Sequence, residues 1–565
     1  MAIPSVFTPV KIDGKLLVDG GLVRNVPVQE AIDMGADIII GVYVGTDLNK
    51  AEDLKSLVSI LAQSAFITSA RDADIQLEKC DILIRPDLEG FSTASFHDAD
   101  SIVQRGMQAG AQYRKTFRQL ADSLKKIAPL KNVIRDTVPD TYVFDAIAVE
   151  GNDVISKDFI LGRLGFKNGE KVTIEKLNKQ LEFIYGTQYF QKIYYRIEGK
   201  PGNQTLKIVV SERPEAHFRF SYHYDTDNSG GIIGNATYRN VLLHNSRLIF
   251  EADLSAEPAL LLDYFKYLGK KQLIAFGSHA VYNNQSLPLY NYDGEKVYLF
   301  NTNFYEGSIR FQTTFILNST FGLGLNWSYM DMKNQFLQSG VASIDKITYH
   351  SSSYNLFYKF NNYNERYFPT RGMSASIKFS HTLNTDGSIN INELDIDDDL
   401  EQEYLETSDI VALKLEAAPI IPLSPKVSLI SKARLSLSTL DDSNVNLTEF
   451  DFIGGFTPGL TNSLEFYGAK SRQYALANYF YGDIGTQIEI KRNIYLQAQM
   501  NYLSSEFLVK SLNPNTELGN INDRTSTVGY GLMLGMESRI GPVFLMIAKD
   551  HHLKGVRLGL RIGYY

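Results

Sequence analysis

The sequence predicts a multidomain protein in which a truncated α/β domain and a small α+β domain precede a C-terminal transmembrane antiparallel β-barrel of about 16 strands. Three observations carry this. From about His217 to Tyr565, polar and apolar residues alternate again and again. Residues 37–44 form a nearly unbroken apolar run of the kind buried in parallel sheets. No apolar run reaches the length of about 18 residues that a membrane-spanning helix needs.

The alternating half decides where the protein resides. Phe218, Phe220, Tyr222 and Tyr224 interleave with His217, Arg219, Ser221, His223 and Asp225, so an extended chain places aromatics on one face and charges on the other. The pattern recurs where Leu248, Phe250, Ala252 and Leu254 alternate with Arg247, Glu251, Asp253 and Ser255. It closes the chain, with Leu558, Leu560, Ile562 and Tyr564 set against Arg557 and Arg561. A soluble sandwich also alternates. Here, however, one face is persistently apolar and aromatic, the other carries ions, and the connections are very unequal, which predicts lipid outside and a wet or plugged lumen inside. A stretch of about 350 residues, at roughly 20 per strand and connection, holds about 16 strands, each crossing with about 9 to 11 residues.

Composition fits this reading. A hydrophobic fraction of 44% and a net charge of −8 resemble a globular protein, because a barrel hides its hydrophobicity in alternation. The 33 tyrosines and 32 phenylalanines, against the single Trp327, suit interfacial girdles. Cys80 stands alone, so an internal disulfide is excluded, and the acidic balance gives no reason to expect nucleic acid. Met1-Ala2-Ile3-Pro4 lacks the basic start and apolar core of a secretory signal, so either the barrel reading fails or the chain begins inside a longer gene product.

Residues 1–128 read as α/β. A short strand at Leu16–Val18 ends in the turn Asp19-Gly20-Gly21, and a helix follows from about Val28 to Met34. Residues 37–44 predict a strand buried on both faces, and 51–69 a helix. A strand at 81–85 and one long helix over 98–127 complete the segment. Leu17-Val18-Asp19-Gly20-Gly21-Leu22-Val23-Arg24-Asn25-Val26-Pro27, then Met34-Gly35-Ala36-Asp37 and Ile82-Leu83-Ile84-Arg85-Pro86-Asp87, resemble in that order the C-terminal part of a patatin-like phospholipase. The resemblance implies acyl transfer by a Ser-Asp dyad without metal or cofactor. Asp19 would be the general base, with Gly20, Gly21, Asn25 and Pro27 as its supporting motif. A carboxylate held at a strand end beside glycine amides is suited to that task. The family's Gly-rich loop and Gly-x-Ser-x-Gly elbow precede this motif. Gly90-Phe91-Ser92-Thr93-Ala94 is the nearest imitation and lacks the second glycine, so the nucleophile half is missing and the 565-residue chain is expected to lack esterase activity.

Residues 129–141 read as a linker and 142–213 as a β-α-α-β-β unit. Val149-Glu150-Gly151-Asn152, followed by Tyr185-Gly186 and Phe190-Gln191-Lys192-Ile193, resembles a POTRA domain, which implies peptide binding at a sheet edge. The barrel is expected over 214–565. Within it, Phe452-Ile453-Gly454-Gly455-Phe456 and Leu464-Glu465-Phe466-Tyr467-Gly468 resemble the inward-folding loop of outer-membrane assembly factors and two-partner transporters. Gly454, Gly455, Phe466, Tyr467 and Gly468 would be its motif residues. The family's tip arginine is absent and the nearest is Arg472, so the usual ion pair is not expected. The acidic stretch Glu393 to Glu406 lacks an EF-hand's glycine and distal glutamate and reads as a solvated loop. His551-His552 reads as a rim site, not a metal site.

Two functions follow. The first is an outer-membrane-anchored patatin-like lipid acyl hydrolase of a Gram-negative bacterium, as in type V secretion patatin fusions, acting on phospholipids or other acyl esters among outer-membrane lipids. The second is a POTRA and barrel transporter or assembly factor for polypeptides, with a vestigial or cargo patatin segment. A plain pore is disfavoured by the plugging loop.

Overall fold

The structure, a computed structural model, describes residues 9–12, 14–45, 57–91, 98–127, 139–200, 202–290, 295–337, 343–392, 409–440, 450–456, 463–505, 526–538, 540–551 and 555–564. The chain divides into two units, Met1–Val138 and Pro139–Tyr565. The acidic stretch 393–406, Ser92 and His552 lie outside the described residues.

In the first unit the strand Ile40–Val42 pairs in parallel with Ile82–Ile84, and helix Leu57–Leu77 connects them. Arg24 ties the motif loop to this helix through Asp72 at 2.8 Å and to the short helix Val28–Asp33 through Glu30 at 2.6 Å. Two expectations are corrected here. The strand over 37–44 is not buried on both faces: Ile40 is 45% and Val42 57% exposed, because the described sheet has only two strands, both of them edge strands. The helix over 98–127 is two helices, Ala99–Gln112 and Arg114–Ile127. The break falls at Tyr113, whose hydroxyl donates to the Leu83 carbonyl at 2.7 Å and so anchors the chain to a strand at that point.

The second unit begins with a compact α+β body. Helices Lys157–Leu164 and Ile174–Gly186 pack on a three-stranded sheet, in which Asn203–Glu212 lies between Ala146–Glu150 and Phe190–Lys200. Its helices start where their sequence dictates: Ser156 and Thr173 are N-caps whose hydroxyls accept from the amides three residues on. Phe144, Phe159, Ile160, Leu164, Leu177 and Phe190 form its buried core.

A closed antiparallel barrel of sixteen strands follows, each paired with its sequence neighbour. A segment between Val427–Ser438 and Tyr479–Lys491 leaves the wall and forms a separate three-stranded sheet. Outward side chains are apolar: Phe220 is 81% and Leu558 72% exposed, as a lipid-facing surface requires. Among the described residues no helix is long and apolar enough to cross a membrane.

The α+β body docks on the turns at one end of the barrel. Arg163 donates to the Thr314 carbonyl at 2.7 Å and to Gln272 Oε1 at 3.3 Å, and lies 4.7 Å from the Tyr267 ring. Gln272 returns a bond to the Phe159 carbonyl at 3.1 Å. Burial lowers the pKa of the Arg163 guanidinium, yet a guanidinium keeps its charge in proteins, so this is a buried cation held by neutral acceptors and a ring face.

Candidate functional site: the inward loop and the barrel seam

The barrel closes where its first strand, Ala216–Asp225, meets its last, Arg557–Gly563. The pairs are His223 with Gly563, Tyr224 with Ile562 and Asp225 with Arg561. On its other side the first strand pairs along its whole length, from Ala216 with Tyr238 to Asp225 with Ser229. Among the described residues the last strand pairs with none of 216–222 on their seam-facing edge, and Phe218 and Phe220 beside it are strongly exposed. An unpaired strand edge is a template for another extended chain.

The loop folds back against inward-facing positions of the last strands. Its small sheet joins Asp451–Ile453 to Ser463–Leu464 and Tyr474–Leu476. Ile453 and Phe466 are fully buried, and Tyr467 nearly so. The loop's shape depends on positive φ at Gly454, Gly455 and Gly468. Gly468 also permits close packing on the wall, since a Cβ there would lie 2.0 Å from the Asp550 amide nitrogen. The Phe456 ring rests on Gly559 of the last strand, where a Cβ would come within 2.5 Å of it. Tyr467 lies over Gly531 in the same way, and its amide donates to Asn501 Oδ1 at 2.8 Å.

Four ionic ties hold the loop. Glu465 pairs with Arg561 at 2.7 Å, and Arg561 also donates to the Phe456 carbonyl at 3.1 Å. Asp227, on the turn after the first strand, accepts from the Phe456 amide at 2.6 Å and from Arg557 of the last strand at 2.8 Å. Arg472 forks onto Glu257 at 2.6 and 2.9 Å and donates to the Ser286 carbonyl at 2.6 Å. Asp451, deeply buried, accepts from Lys414 at 2.7 Å and from the Tyr479 hydroxyl at 2.5 Å. The loop therefore carries ion pairs to the wall in both polarities: Arg472 supplies a cation to Glu257, correcting the expectation that no such pair forms, and Glu465 supplies a carboxylate to Arg561. The Asp227–Arg557 pair crosses the seam, so loop, first hairpin and last strand form one latch.

Of the motif residues, Gly454, Gly455, Phe466, Tyr467 and Gly468 come together in this loop. Sequence reasoning missed Asp227, Glu257, Arg557 and Arg561 as its partners. Arg557 and Arg561 alternate with Leu558 and Leu560, and that parity placed them in the lumen. Asp19 belongs to the first unit. It caps the short turn Gly20–Leu22, with the Gly21 amide donating to its Oδ1 at 2.7 Å. The Asn25 side chain folds over Gly21, and Pro27 precedes helix Val28–Asp33.

Comparison with known proteins follows the same division. Residues 204–565 match the OMP85 superfamily, 142–213 match the POTRA family described as a surface antigen variable number repeat, and 1–32 match patatin-like phospholipases. A curated relative, lysophospholipase NTE1 of Meyerozyma guilliermondii, is 26% identical over 131 residues; the match takes in 19% of this chain, which spans 9% of that relative's length. Among solved structures, BamA from Haemophilus ducreyi lacking POTRA domains 1–3 superposes with a TM-score of 0.53 at 15% identity, covering 74% of this chain and 84% of that one. CdiB from Acinetobacter baumannii gives 0.47 at 13% identity, covering 98% and 93%. The BamA likeness shows the fold, and the family match takes in well over half of the chain, including every barrel strand: the chain belongs to the OMP85 superfamily.

Proposed function

We propose that this protein handles polypeptides in the outer membrane of a Gram-negative bacterium, as a transporter or assembly factor, with an extended client chain pairing at the open edge of the first barrel strand. The observation that carries this is the seam, where three residue pairs close a barrel whose first strand is ten residues long. A strand edge at membrane depth offers backbone hydrogen bonds that lipid cannot supply, so a client strand is its natural partner. Phe190–Lys200, an edge strand of the POTRA sheet, offers a second extended surface by the same chemistry. A plain open pore fits poorly with a loop pinned in the lumen.

The test places the protein in vesicles with Cys80→Ser, Tyr224→Cys and Ile562→Cys, adds a urea-denatured small barrel protein, and follows client folding by gel mobility without heating. The reduced seam should accelerate folding, and the oxidised seam should not. Acceleration that survives the cross-link would remove the seam from the mechanism.

A second reading concerns residues 1–138. We propose that Asp19 is the general base of a Ser-Asp acyl hydrolase acting on phospholipids or other acyl esters, once a Gly-x-Ser-x-Gly serine is supplied. The match of residues 1–32 to patatin-like phospholipases and the likeness to a lysophospholipase support this. The capped, half-buried carboxylate of Asp19 is compatible with it. In a form carrying the serine half, Asp19→Asn should lower ester turnover by about 10²- to 10⁴-fold. Undiminished turnover would assign Asp19 to turn capping alone.

A further inference from the structure

Lipid-facing side chains of the barrel wall run in rows across paired strands. Leu260, Tyr282, Tyr305 and Tyr329 share one row. The next row toward the POTRA end reads Leu262, Ala280, Gly307 and Trp327. Ala280 and Gly307 sit side by side with nothing taller than a methyl group, so the larger neighbours frame a groove of about 500 Å³, bounded by Phe250, Leu262, Tyr282, Tyr305 and Trp327. A Cβ built on Gly307 meets no atom within 4 Å, so the floor is open. On a lipid-facing wall a hollow of this kind is filled by hydrocarbon, which recovers dispersion contacts that a flat surface would not offer.

One row farther from the POTRA end the surface becomes polar. Asn284, Asn303 and Asp331 are in register, followed by Asn301 and Lys333. Asn284 donates to Asn303 at 2.9 Å and to Asn301 at 2.5 Å, and the Tyr282 hydroxyl donates to Asn303 at 3.1 Å. Asp331 is neutralised by Lys346 at 3.1 Å, and Lys333 is exposed next to them. The order along the wall is an apolar hollow, a row of three tyrosines, then amides and a cation. The POTRA end is identified by Gln272, which bonds to Arg163 and Phe159 just before strand Ile274–Tyr290 begins. Tyrosine belongs at the boundary between hydrocarbon and head groups, so the polar rows lie at head-group level in the leaflet away from the POTRA domain.

We infer that this groove is a binding site for one lipid of that leaflet. Its acyl chain lies over Ala280 and Gly307 against Trp327, and its phosphate-bearing head group meets Lys333 and the asparagine ladder. The groove differs from ordinary lipid-facing wall in having a shaped floor and a matched head-group site just beyond its tyrosine row. It therefore holds its occupant longer than bulk lipid is held.

Trp327 is the single tryptophan of the chain, so its fluorescence reports on this site alone. The protein is reconstituted in phosphatidylcholine vesicles, and phosphatidylglycerol with brominated acyl chains is titrated in as quencher. Quenching should saturate at low mole fraction. Half-saturation should come at about fivefold lower lipid than for brominated phosphatidylcholine, the effect of one lysine near a membrane surface. Lys333→Gln should merge the two curves. Gly307→Leu, which has room on the surface, should abolish the saturating phase while leaving a folded barrel by unheated gel mobility; Ala280→Leu serves if that variant fails to fold. Quenching that rises only in proportion to brominated lipid, or that saturates equally in the groove-filled variant, would overturn the site.

Discussion

The two sides of this barrel are built to different standards. Strands Ile274–Tyr290, Lys296–Thr313, Ser319–Leu337 and Ser343–Asn361 are 17 to 19 residues long, well beyond what a bilayer needs, and pair along most of that length. Their far ends are clasped by a core of Leu287, Phe300, Met332, Ile347 and Tyr349. The last strand, by contrast, is 7 residues long and reaches the first through three pairs. Side-chain ions compensate for the missing backbone bonds: Asp227, Arg557, Arg561 and Glu465 tie both sides of the seam to the inward loop. A wall made of ladder bonds is permanent, whereas a join made of a few bonds and a latch can be released.

Substitutions should separate the two sides. Arg472→Ala should have the largest effect, because it leaves Glu257 partly buried without its forked partner; a loss of about 3 to 5 kcal/mol is expected. It would be read as a lower urea midpoint for the unheated folded band, with larger single-channel conductance as the loop detaches. Arg557→Ala should come next, at about 2 to 3 kcal/mol, since Asp227 keeps the Phe456 amide but loses its cation across the seam. Its signature would be faster proteolysis near the first hairpin with the wall unaffected. Arg163→Ala should cost about 1 to 3 kcal/mol in POTRA docking, seen as earlier cleavage between the POTRA body and the barrel. In the wall, Ser328→Ala with Ser351→Ala removes a hydroxyl pair at 2.8 Å and should change stability by about 1 kcal/mol or less, within reach of the same urea titration. A wall variant as damaging as Arg557→Ala would erase the distinction.

Alternation in the sequence was enough to read the barrel and its sixteen strands, because a period of two dictates which side chains face lipid. Phe218, Phe220, Tyr222 and Tyr224 are outward as that period requires. The latch was not legible in the same way. Asp227 and Arg557 are separated by 330 positions and Glu465 and Arg561 by 96, and only closure of the ring brings them together. The Arg472–Glu257 pair was hidden for the same reason: Arg472 lies outside the loop-tip motif, and 215 positions separate it from its carboxylate. Ile40 and Val42 mislead for another reason. An apolar run reports a preference for burial, but the number of neighbouring strands and helices decides whether burial occurs.

Under the proposed function, the seam is the side of the barrel that opens. Hydrogen exchange of the protein in lipid nanodiscs, followed by mass spectrometry, tests it without any client. Peptides covering 216–226 and 557–564 should exchange about a hundredfold faster than those covering 298–312, a difference of about 2.7 kcal/mol in opening free energy. Arg557→Ala should widen that gap. Equal protection of the seam and the wall would contradict the account.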